Sequence, residues 1–171
     1  LASSPEKSKT PITVLGIDPG LGTTGYSILR AEGRRLSLCE AGVIRTEGGR
    51  ALEERLLTLY RGLKRVIRKV RPDVMVVEEL HSHYLHPLTA IKMAHARGVI
   101  YCAAAEHGVA VESYAPTHVK KAITGNGHAS KEQMQRMVQS LLGLPSVPEP
   151  ADVADALALS LCHINVLQHG G

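Results

Sequence analysis

The chain has 171 residues, 44% hydrophobic and 21% charged, with a formal net charge of +4 and a pI near 9.1. This is the mix of one soluble α/β-sized domain; the apolar runs are too short to span a bilayer, and no cleavable signal is recognisable, so a cytoplasmic protein is expected. Three scattered cysteines, Cys39, Cys102 and Cys162, read as reduced thiols and offer neither a disulfide frame nor a zinc site, while the positive charge suits a polyanionic partner without requiring one.

Residues 1–11 are polar or lack apolar periodicity and are expected to form a disordered tail before a single domain over 12–168. Ile12–Ile17 is a β-branched run and reads as the first strand. Asp18–Gly25 reads as a turn, Tyr26–Arg30 as a second strand, and Arg35–Arg45 contains a third, giving an antiparallel meander. The period then changes. Leu52, Leu56, Leu59, Leu63, Ile67 and Val70 form a helical stripe, with Arg55, Arg61, Lys64, Arg65, Arg68 and Lys69 on its other faces. Such a basic face is commonly just solvated. Pro72 ends the helix, and Val74–Val77 reads as a buried strand. Leu88–His107 reads as a helix, Val109–Ser113 as a fifth strand, and a final helix runs from about Ala151 to Leu167. This order predicts a mixed five-stranded sheet with helices on both faces.

Gly20-Leu-Gly-Thr-Thr-Gly25 matches a dinucleotide-binding fingerprint, but the following Tyr-Ser-Ile-Leu favours a strand where that motif needs a helix. A tight turn is the better reading, its glycines allowing close backbone approach to something such as a phosphate. Asp18 and Glu78 each end an apolar strand, so parallel neighbours would bring them to one sheet edge. Asp152 and Asp155, three apart, share a face at the start of the last helix. Each acid has an ordinary structural use, as a turn former, cap or dipole partner. Together, however, four carboxylates would repel one another without cations, and hard divalent ions such as magnesium resolve that conflict. Two ions at such a cluster support phosphodiester hydrolysis.

Leu15-Gly-Ile-Asp-Pro-Gly20 with Gly25-Tyr26, Val77-Glu-Glu79, Ala96-Arg-Gly98, Lys120–Gly127 and Ala151-Asp-Val-Ala-Asp-Ala-Leu157 follow one another as in the RuvC family. The chain resembles these Holliday-junction resolvases from Ile12 to Leu167. The resemblance implies an RNase H-like fold and paired, symmetric nicking of four-way junction DNA in recombination and repair. It implies Asp18, Glu78, Asp152 and Asp155 as catalytic metal ligands, with two Mg²⁺ ions per site that Mn²⁺ can replace. It also implies Lys120 and Lys131 at the DNA, a homodimer formed largely through the helix after His86, and partnership with a junction-binding protein and a branch-migration ATPase.

Where the family has an aromatic residue after the catalytic Glu, this chain has His81, with Tyr84 nearby; either ring can stack on a base. The three histidines of this segment lack a transition-metal spacing. Glu79 should point away from Glu78 if the strand continues. Lys131 follows Ser130, a helix cap whose free N–H groups could hold a phosphate. Alternative readings are an RNase H-like nuclease acting on RNA and a catalytically silent junction-DNA-binding module. An actin-like ATPase would need a second, duplicated domain.

Overall fold

The computed structural model describes residues 10–79 and 87–169, so nearly all of the expected tail, together with His81 and Tyr84, lies outside the described residues. The strands are β1 (Ile12–Asp18), β2 (Thr23–Glu32), β3 (Arg35–Arg45), β4 (Val74–Glu78) and β5 (Ala110–Tyr114). The helices are α1 (Leu52–Val70), α2 (Pro87–Glu106), α3 (Pro116–Thr124), α4 (Lys131–Leu142) and α5 (Ala151–His169). The sheet order is β3-β2-β1-β4-β5. The first three strands form the expected antiparallel meander, and β4 and β5 join parallel to β1.

Side-chain alternation sorts the strands between two cores. Val14, Leu29, Val74 and Val76 face α5 together with α3 and α4. Leu15, Ile17, Ile28, Met75 and Val77 face α1 and α2. Asp18 continues the Val14–Gly16 row and Glu78 the Val74–Val76 row, so both acids end rows that face α5. The α1 stripe is displaced from its sequence pattern. Leu59, Leu63, Val66 and Ile67 are buried, while Leu52 is 39% exposed. Arg71 closes α1 in the left-handed conformation, its N–H donating to the Ile67 carbonyl.

The Asp18–Gly25 segment is less of a turn than its glycines suggest. β2 already begins at Thr23, and Asp18 pairs with Gly25, leaving Pro19–Gly22 as the connection. The close approach that Gly25 permits is to α5: a Cβ there would collide with the backbone carbonyl of Asp152. At Gly16 a Cβ would collide with the Ala156 carbonyl and the Ser160 hydroxyl. Ser27 completes this seat, donating to the Ala156 carbonyl at 2.8 Å beside Ser160 Oγ, also at 2.8 Å. α5 is apolar around most of its circumference because it lies between the sheet and the α3–α4 pair.

Gly25→Ala is expected to destabilise the protein by about 1–3 kcal/mol, since neither backbone can yield without lifting α5. Gly48→Ala, where a Cβ meets nothing within 4 Å, should stay within about 0.5 kcal/mol of the parent. Urea midpoints measure both, and equal values for the two variants would contradict the seating of α5.

Candidate active site

The register Ile17↔Val77 between parallel β1 and β4 places Asp18 and Glu78 next, at adjacent carboxyl ends of the sheet. Glu78 also pairs with Tyr114 at the end of β5. The first turn of α5 brings Asp152 and Asp155 to the same edge through its contact at Gly25. The acids act on one another's charge. Burial, then the charges of Asp155, Glu78 and Asp152, push the Asp18 pKa up to about 8. Burial followed by Asp155 also raises Glu78, and burial is the leading cause of the upward shift at Asp155.

Two lysines oppose this crowding. Lys131 Nζ lies 3.3 Å from Asp155 Oδ2, and Asp155 is the main reason its own pKa rises. Lys120, on α3, is near enough for its charge to lower both Glu78 and Asp155. The α4 N-terminus, where the sequence suggests free N–H groups for a phosphate, carries its own cap. Ser130 Oγ accepts from the Gln133 N–H, Gln133 Oε1 accepts from the Ser130 N–H, and the Ser130 hydroxyl donates to Glu132. This capping box satisfies the Ser130 and Gln133 N–H groups, with the Glu132 carboxylate beside them. Lys131 instead turns toward the acids.

Arg97 is a contributor that sequence reasoning quoted in a motif without giving it a role. It is only 8% exposed on α2, and its guanidinium donates to the Glu78 carbonyl and the Tyr101 hydroxyl. It also lies over the Tyr101 ring, 5.1 Å from the centroid. A fixed cation thus braces the β4 end that carries Glu78 and partly offsets the rise in its pKa that burial and Asp155 cause. Its signal in the sequence was limited to its place in Ala96-Arg-Gly98; the burial of Ala96 and Ile100 around it is a property of the fold. Glu79 lies just beyond β4 and is exposed, its N–H donating to the Tyr114 carbonyl at 3.0 Å.

The donor set is all carboxylate oxygen, the chemistry of a hard divalent cation. Among the described residues, no three His, Cys, Asp or Glu side chains yet close on a common point. In this arrangement the Lys131 ammonium serves Asp155 as counter-ion, so the acids suit a cation in type and charge and would have to turn inward to hold one.

Asp18 retains its proton in the folded protein from the unfolded value of 3.8 up to about 8, so its contribution to stability is present at low pH and lost as pH rises through that interval. The stability of the metal-free parent relative to Asp18→Asn should therefore fall between about pH 4 and 8; parallel pH profiles in urea would contradict the burial of this acid. Arg97→Met, which orphans the Glu78 carbonyl, should cost about 1–3 kcal/mol in the same measurement. An unchanged midpoint would remove Arg97 as a brace.

Residues 14–163 match the family described as crossover junction endodeoxyribonuclease RuvC. The crossover junction endodeoxyribonuclease RuvC of Rhodopirellula baltica is 57% identical over 149 residues, covering 87% of this chain and 84% of that protein. Its counterpart from Ruminiclostridium cellulolyticum is 42% identical over 152 residues, covering 89% and 91%. The structure of T. thermophilus RuvC in complex with a Holliday junction substrate matches with a TM-score of 0.88 at 35% identity, over 93% of this chain and 96% of that one. The yeast mitochondrial Holliday junction resolvase, at 13% identity and a TM-score of 0.62, covers 89% of this chain and 78% of its own, and shares the fold. The chain belongs to the RuvC family of crossover junction endodeoxyribonucleases.

Proposed function

We propose that the protein resolves four-way DNA junctions by paired nicking, with Asp18, Glu78, Asp152 and Asp155 as ligands for two magnesium ions. The observation that carries this reading is the meeting of acids from β1, β4 and α5 at one sheet edge, with Asp18 pushed up to about 8 by burial and its neighbours. The family and the junction complex of the T. thermophilus relative supply the substrate. Divalent cations held there would activate a water and stabilise the leaving oxygen in phosphodiester hydrolysis; manganese has the same preference for oxygen ligands.

The chain's own residues provide the rest. Lys131 is paired with Asp155 before cations enter, and its release frees an ammonium for a phosphate oxygen. Lys120 offers a second positive charge on the Glu78 side. Arg97 fixes the backbone from which Glu78 projects. His81 and Tyr84 are assigned to the opened bases at the crossover by their place after Glu78 in the sequence.

Paired cutting needs two sites, and an apolar surface supports a homodimer. Leu56, Leu57, Tyr60, Ile91 and Cys102 line a trough of about 740 Å³ between α1 and α2, where Ile91 is 51% exposed. A second copy meeting this face would bury it. A junction-binding protein and a branch-migration ATPase are the further partners we assign, with the cytoplasm as the site of action.

Asp18→Asn should reduce junction cleavage in magnesium by about a hundredfold or more while leaving junction affinity nearly unchanged, because phosphate contacts carry binding. Normal cutting by this variant would remove Asp18 from the site. The parent should nick four-way junctions in preference to duplex DNA and structured RNA; efficient RNA cleavage without junction preference would overturn the substrate. Ile91→Glu should convert a sedimenting dimer to monomer, and a monomeric parent would contradict paired cutting.

A further inference from the structure

The groove between β3 and α1 is separate from the acid edge and is built from cations. It encloses about 550 Å³ and is lined by Arg45 from β3 and by Arg61, Arg65 and Lys69 from α1. Gly62 lets the helix approach the strand, since a Cβ there would press on the Ile44 side chain, so basic groups from two elements converge. Glu40 is the one acid lining it, and it is already engaged by Lys69 Nζ at 2.6 Å and the Tyr26 hydroxyl at 2.9 Å. Arg45, Arg61 and Arg65 are exposed and have no ion-pair partner among the described residues.

We propose that this groove binds the phosphate backbone of duplex DNA, and that on the four-way substrate it holds one arm beyond the crossover; the second clause rests on the function proposed above. Arg61 and Arg65, four residues apart on α1, carry unpaired charges about 6 Å apart along the helix, close to two base-pair steps of about 3.4 Å, while Lys69 continues the row with its charge balanced by Glu40. Guanidinium groups suit phosphate oxygens, and an open trough suits a continuing backbone rather than a small enclosed anion. Although separate from the acid edge, the groove is tied to it through the chain. Arg45 pairs with Thr23, directly after the Pro19–Gly22 connection that leaves Asp18. The Thr46 N–H donates to the Gly22 carbonyl at 2.9 Å, and Arg55 Nε donates to Thr46 Oγ1 at 3.0 Å. A backbone running from the acids to the groove would cross this connection from the α5 side of the sheet to the α1 side. The basic face of α1 thereby acquires a use other than solvation.

The test compares the parent with Arg61→Gln/Arg65→Gln and Arg61→Glu/Arg65→Glu by titrating fluorescent DNA at several salt concentrations, with divalent ions withheld. Substrates are a long-armed junction, a junction with arms trimmed to a few base pairs, and linear duplex. Each lost phosphate contact lowers the slope of log K against log salt by about 0.9, so the neutral pair should lose about 1.8 on long arms and on duplex. Affinity for the trimmed junction and the thermal midpoint should stay at parent values. An unchanged slope on long arms and duplex overturns the proposal and leaves the groove to another acidic partner, such as a protein surface. An equal slope loss on trimmed junctions overturns it too, by moving the arginines to the crossover. A parent that does not prefer junctions over duplex defeats the proposed function, while the slope on duplex still decides whether the groove binds a backbone.

Discussion

The contact between the α5 backbone and the first two strands determines whether the carboxylates can share an edge. Gly16 and Gly25 withhold side chains where the helix carbonyls of Ala156 and Asp152 approach, and Ser27 ties the helix down. A helix held one side-chain layer further out would leave Asp152 and Asp155 away from Asp18. The same contact draws like charges together in a partly dry place. Its cost is seen in the Asp18 pKa near 8, and it is partly offset by Lys131 on Asp155 and by the buried guanidinium of Arg97 behind Glu78.

Much of this was legible in the sequence because it rests on short-range rules. Apolar runs ending in Asp18 and Glu78 marked two strands and their terminal acids, and the parallel pairing of those strands brings both to one sheet edge; that both also face α5 is visible only in the fold. The i, i+3 spacing gave Asp152 and Asp155 a common side. What was not legible depended on distant neighbours. Gly25 read as a turn residue because nothing local reveals that Asp152 lies against it. Leu52 fits the α1 stripe yet is exposed, since the stripe alone does not fix which part of the helix the sheet covers. Arg97 and the convergence of Arg45 with Arg61 are long-range facts as well.

The surface divides its labour by charge. Acids gather at the carboxyl edge of β1 and β4, unpaired arginines line the β3–α1 groove on the α1 side of the sheet, and apolar side chains remain between α1 and α2. α1 contributes to both of the latter through different faces of one helix. This accounts for a modest net charge of +4 in a protein of a DNA-acting family: the positive groups are concentrated, not numerous.

The central requirement is that cations enter among the acids in exchange for the lysine contact. Anomalous diffraction from crystals soaked in manganese observes this directly. Peaks bounded by Asp18, Glu78 and the α5 aspartates, with Lys131 withdrawn from Asp155, are the expected result. Saturating manganese bound elsewhere, with the Lys131–Asp155 pair intact, would contradict it.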